Sequence, residues 1–104
     1  MTILGRLLLL VSMMAGAATA DAETVRVEVN KLIFTPAEIK VHVGDTIEWV
    51  NSDFVAHSAT ARDGSFDVML EPGKSGRSTV QKVGAADYYC RFHPNMTGRI
   101  AVGE

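Results

Sequence analysis

The chain has 104 residues, 47% of them hydrophobic and 21% charged, with 10 Lys and Arg against 12 Asp and Glu for a formal net charge of −2. That near-balance, with no block of like charges, excludes the basic stripe of a nucleic-acid binder and the polybasic patch of a membrane-surface protein. A single cysteine excludes an internal disulfide framework.

The first segment reads as a leader. Arg6 precedes an apolar run from Leu7 to Met14, and small residues follow up to Ala18-Thr19-Ala20. Positive charge, a short apolar core and an Ala-x-Ala site together describe a secretory signal peptide over residues 1–20. The run is shorter than the roughly 18–20 apolar residues a bilayer span needs, so no membrane insertion of the mature chain is expected. Cleavage after Ala20 leaves residues 21–104 as one small domain; Ala22 is the alternative cleavage point. Loss of Arg6 moves the formal charge from −2 to −3.

The mature part reads as strands. Thr24 to Asn30 alternates, with Val25, Val27 and Val29 on one face and Arg26 and Glu28 on the other. Period two with β-branched residues signals a half-buried strand. Ile39 to Val43 repeats it, with Lys40 and His42 pointing away from Ile39, Val41 and Val43. After the Gly44-Asp45 turn, Thr46 to Asn51 carries Ile47 and Trp49 and is broken by Asn51-Ser52-Asp53. His57 to Ala61 predicts a short strand and Arg62 to Ser65 a turn; Phe66 to Leu70 is apolar but short, with Met69 in core or loop packing. Glu71 to Gly76 predicts a loop. Arg77 to Val83, Ala86 to Arg91 and Arg99 to Val102 predict three more strands, with Tyr88 in the core or beneath Cys90. No stretch sustains a 3.6-residue period. Short strands punctuated by Gly, Pro and Asn define an all-β class, a sandwich or barrel.

The chemistry concentrates in Cys90-Arg91-Phe92-His93-Pro94-Asn95-Met96. Ligands at i, i+3 and i+6 require the chain to curl over one point, which Pro94 and Asn95 favour and Gly98 lets it leave. An unpaired cysteine in an exported protein is intermolecular, reactive or metal-bound. Thiolate, imidazole and thioether together favour copper, and a His2Cys set with a weak axial Met describes a blue-copper electron-transfer site. His57, delivered from another strand, is the candidate for the second imidazole. Each residue also has a bland reading: Cys90 as a small buried hydrophobe, Met96 as core filler, His57 as an isolated histidine. His42, on the polar face of its strand, reads as solvated.

Other chemistries fit less well. A Cys–His nucleophile needs an oriented base and a substrate cleft, so no enzyme is expected. Structural zinc takes a thioether poorly, and a binuclear copper centre would want a second loop cysteine. Copper storage or delivery is the alternative to electron transfer, because both would use these ligands.

These residues resemble the cupredoxins, most of all the amicyanin branch, with pseudoazurin and plastocyanin more distant. The resemblance rests on the Cys90-x-x-His93-Pro94-x-Met96 loop, on Gly98-Arg99-Ile100, and on Asp87-Tyr88-Tyr89-Cys90. It extends to Phe34-x-Pro36-x-x-Ile39-x-Val41-x-x-Gly44-Asp45-Thr46-Ile47-x-Trp49-x-Asn51, covering nearly all of residues 21–104. It implies a Greek-key β-sandwich with one copper ion, Cu(I) or Cu(II), held by His57, Cys90, His93 and Met96. It also implies a monomeric periplasmic carrier, with a dehydrogenase as donor, a c-type cytochrome or oxidase as acceptor, and no nucleic-acid partner. The edge of His93 would reach the surface among Phe54, Val55, Phe92 and Pro94. Two positions depart from the pattern. Ser58 stands where the family has Asn after the first histidine, and Phe92 and Asn95 flank His93-Pro94.

Overall fold

The computed structural model describes residues 21–104; the expected leader over residues 1–20 lies outside them. Nine strands follow in chain order: β1 Thr24–Asn30, β2 Ile33–Thr35, β3 Glu38–His42, β4 Thr46–Asn51, β5 His57–Ala61, β6 Asp67–Leu70, β7 Ser75–Thr79, β8 Gly84–Tyr89 and β9 Thr97–Gly103. They form a four-stranded sheet of order β2-β1-β4-β7 and a five-stranded sheet of order β3-β9-β8-β5-β6. β1 runs parallel to β4 and β3 parallel to β9, and the other pairs are antiparallel. The expected Greek-key β-sandwich is the fold. No helix among the described residues is long and apolar enough to cross a membrane.

The alternating patterns bury as they should. Val27 and Val29 are wholly buried on β1, while Arg26 and Glu28 pair at 2.8 Å on its outer face. On β3, Ile39 and Val41 are buried and His42 is solvated. Val43 departs from its expected face: it is 44% exposed, because β3 ends at His42 and the chain turns at Gly44. Met69 is also exposed, on the outer face of edge strand β6, and packs in no core.

β2 and the start of β7 were not evident in the sequence. Lys31 and Leu32 both adopt positive φ (56° and 64°) in the β1–β2 turn, without the Gly or Asn that would signal it. β7 begins at Ser75, inside the expected loop. A Cβ at Gly76 would lie 2.5 Å from Val68 Cγ1. This glycine therefore lets β7 pass close over β6 instead of ending a strand.

An aromatic cluster locks the two sheets together. Trp49 of β4 meets Tyr88 of β8 edge-on at 5.6 Å, and Phe34 of β2 meets Tyr88 at 4.8 Å. Phe66 packs against both Trp49 and Tyr88. The cost of this packing is polar: neither Trp49 Nε1 nor Tyr88 Oη has a hydrogen-bond partner. Burial pushes the Tyr88 phenol up to about 12, with the nearby Trp49 indole opposing it. The unfolded chain, with an ordinary phenol near 10, then loses its proton first as pH rises, so stability declines between those values. The expected slope is up to about 1.4 kcal/mol per pH unit. Tyr88→Phe removes both the orphaned hydroxyl and this dependence. Denaturant unfolding should show it neutral or stabilising at pH 7 and flat between pH 10 and 12; a clear loss of stability at pH 7 would mean the hydroxyl has a partner.

Candidate metal centre

Topology brings the site residues to one pole. β8 and β9 are adjacent and antiparallel with Tyr89 opposite Thr97, so Cys90 to Met96 is the connection between paired strands. β5 flanks β8 on its other side and runs antiparallel to it, which sets His57, at the start of β5, beside the end of β8.

The loop curls as its spacing suggests. His93 N–H donates to the Cys90 carbonyl at 3.2 Å and Met96 N–H to the His93 carbonyl at 2.8 Å. Cys90 N–H then donates to the Met96 carbonyl at 3.1 Å. Two successive turns, closed at the neck, stack Cys90, His93 and Met96 at three-residue intervals. Cys90 and Met96 are buried and His93 is half-buried.

His57, Cys90 and His93 form a cluster whose donor atoms all lie within 4.8 Å of one another. Cys90 Sγ is 3.7 Å from His57 Nδ1 and 3.6 Å from His93 Nδ1. A metal at about 2.05 Å from each nitrogen and about 2.3 Å from sulfur, in a trigonal plane, would set sulfur and nitrogen about 3.8 Å apart. The cluster is therefore spaced to share one ion. Its soft sulfur and two imidazoles suit copper among the first-row metals. The imidazoles meet edge-on with centroids 4.9 Å apart.

The first histidine is held by a carboxylate that the sequence reading passed over as part of a break. His57 is wholly buried, and its Nε2 lies 2.8 Å from Asp53 Oδ2. A carboxylate only accepts, so Nε2 carries the hydrogen and Nδ1 presents its lone pair toward Cys90. Asp53 also accepts the Lys31 amide at 2.6 Å and the Leu32 amide at 3.0 Å. Burial works against its charge, but those two amides and the His57 ring outweigh it and hold its pKa below 3.8. One carboxylate thus offsets the strained β1–β2 turn and orients the histidine. A carboxylate four residues before a candidate histidine was the signal that could have found it.

Asn51, 1% exposed, shapes the segment between them. Its side-chain amide donates to the carbonyls of Val55 at 2.9 Å and Leu70 at 3.0 Å, while its oxygen accepts Asp53 N–H at 2.9 Å. Ser58 contributes twice. Its N–H points at Cys90 Sγ at 3.4 Å, and its hydroxyl accepts Arg91 N–H at 2.9 Å. The shorter side chain still ties the strand of the first histidine to the cysteine loop.

A sequence model of the Cupredoxin-like domain matches residues 3–102. The chain belongs to the cupredoxin family. Amicyanin of Paracoccus denitrificans is 30% identical over 94 residues, a match covering 85% of this chain and 71% of that one. The crystal structure of amicyanin from Paracoccus versutus superposes with a TM-score of 0.68 at 28% identity, covering 86% of this chain and 88% of that one. A purple cupredoxin from Nitrosopumilus maritimus shares the fold, with a TM-score of 0.69 at 23% identity over 76% of this chain and 99% of that one.

Proposed function

We propose that this protein is a periplasmic type 1 copper carrier that passes single electrons between redox proteins, with copper held by His57, Cys90, His93 and Met96. The observation that carries the reading is the close approach of one buried cysteine sulfur to two imidazole nitrogens, on a backbone hydrogen-bonded on every side. Copper bound there supplies a centre that gains and loses one electron. The task of the protein is to keep the donor atoms still while it does so. Asp53 fixes the His57 ring, Ser58 N–H stabilises the Cys90 thiolate, and the tandem turns fix His93 relative to Cys90. Met96, buried at the loop's exit, would supply the weak thioether donor.

Several features support a carrier over an enzyme. Burial of His57 and Cys90 would restrict access to an ion bound there, while His93 is the partly exposed member of the set. Phe54 is 98% exposed and Val55 and Phe92 are each 48% exposed, on the loop that leads into His57 and the loop that carries His93. Exposed apolar side chains so placed suit transient docking of a donor dehydrogenase and an acceptor cytochrome or oxidase. The leader-like residues 1–20 support export to the periplasm, with release of residues 21–104.

The test is reconstitution with Cu(II), followed by a visible spectrum and voltammetry on one sample. An intense thiolate-to-copper band and fast, reversible one-electron cycling are expected. A colourless product would sink the reading, and ready handover of Cu(I) without reversible cycling would move it to copper delivery. Met96→Leu should retain copper and raise the potential, because a donor favouring Cu(II) is lost. A tenfold change in the redox equilibrium is about 59 mV for one electron. An unchanged potential would remove Met96 from the ligand set.

A further inference from the structure

Beyond Ser58, a chain of side-chain hydrogen bonds runs out of the site to the surface. Ser58 and Thr60 share a face of β5, and their hydroxyl oxygens are 2.8 Å apart. Thr60 stands opposite Asp67 in the β5–β6 register and donates to Asp67 Oδ1 at 2.8 Å. Arg91 Nε donates to the same oxygen at 3.1 Å, and Arg91 N–H returns to Ser58 Oγ. Four residues therefore close a ring around the peptide that follows Cys90.

The direction of this ring follows from its chemistry. Asp67, ionised, can only accept, so Thr60 spends its one hydroxyl hydrogen on it. The Ser58–Thr60 contact is then donated by Ser58, which leaves a Ser58 lone pair to receive Arg91 N–H. The Thr60 hydroxyl and the Arg91 side chain hold the Asp67 carboxyl below its usual range, in keeping with an acceptor ionised at neutral pH. Without Asp67, no protein carboxylate receives the Thr60 hydrogen, and the direction of the Ser58–Thr60 bond is no longer fixed. The β5–β8 backbone pairing stops at Thr60–Tyr89. Two positions further along the same register, where Ser58 would face Arg91, the Ser58 hydroxyl takes the Arg91 N–H that a strand carbonyl would otherwise have accepted.

We propose that Asp67, acting through Thr60 and Ser58, is a positioning residue for the Cys90 loop, setting where the thiolate sits relative to the two histidines. The proposal rests on the copper reading for its consequence but not for its geometry, so its first test uses the metal-free protein. Amide hydrogen exchange at Arg91 should quicken about three- to tenfold in Asp67→Ala and in Thr60→Val, the range one net hydrogen bond commands. Thr60→Ser, which keeps the hydroxyl, should exchange like the parent, as should Trp49 in the opposite sheet in every variant. An unchanged Arg91 overturns the proposal. A uniform rise in both sheets also overturns it, by assigning these residues a merely structural role. In the copper-loaded protein, Thr60→Val and Asp67→Ala should shift the visible band while Thr60→Ser restores it; identical spectra overturn the positioning. If the parent shows no thiolate band at all, the copper reading fails, and the exchange data still decide the ring.

Discussion

Cys90→Ser is expected to abolish the intense visible absorption of the copper-loaded protein. That absorption requires a sulfur donor, and Cys90 supplies the one thiol in the sequence. The substitution is a clean one. Cys90 is wholly buried, serine is nearly isosteric, and its hydroxyl can still accept the Ser58 N–H that now points at Sγ at 3.4 Å. The fold should survive, which near-ultraviolet circular dichroism of the Trp49–Tyr88 cluster can check. A hydroxyl remains protonated where a thiol gives up its proton to a metal, so Cu(II) affinity should fall as well. Retention of the colour would place the strong donor elsewhere and remove the basis of the proposed function.

Most of this site was legible because its signals are local. Cys90, His93 and Met96 lie within seven residues, and their three-residue spacing translates directly into the tandem turns that stack them. His57 needed one further inference, that another strand supplies an imidazole, and the β8–β5 adjacency is what makes that delivery possible. The strands were legible for the same reason. Alternation in β1, β3 and β4 records one buried face each, and those three were placed within a residue. β2 carries just three residues and its turn lacks Gly or Asn, so nothing in its composition announced it. What holds the proposed ligands was not legible. Asp53 read as a break because its partners, Lys31 and Leu32, are more than twenty residues away and touch it through backbone amides. The Ser58–Thr60–Asp67–Arg91 ring joins three segments through ordinary polar residues, and only the strand register shows that Thr60 and Asp67 meet.

Gly98 shows how one residue can serve both the sheet and the site. In the sequence it read as a point of exit from the loop, yet it lies within β9, directly opposite Tyr88. A Cβ there would lie 2.5 Å from both Tyr88 Cε1 and Tyr88 Oη, and nearer still to Cζ. The ring cannot retreat, because Phe34, Trp49 and Phe66 hold it from other directions at 4.8, 5.6 and 5.9 Å. Gly98→Ala should therefore cost about 3 kcal/mol or more of unfolding free energy, at or beyond the upper end of overpacking penalties. For a domain of this size that corresponds to a fall of roughly 15 °C in Tm. The strain has a defined route to the proposed metal centre, since Gly98 is two residues past Met96 and Tyr88 two residues before Cys90. The copper-loaded variant should show a displaced visible band as well as reduced stability. Combining it with Tyr88→Ala separates the causes. If the clash is the mechanism, Gly98→Ala should cost at least about 1 kcal/mol less in that background, as contacting residues do in a double-mutant cycle. Additive losses would place the penalty in the backbone of β9 and not in the ring that lies across it.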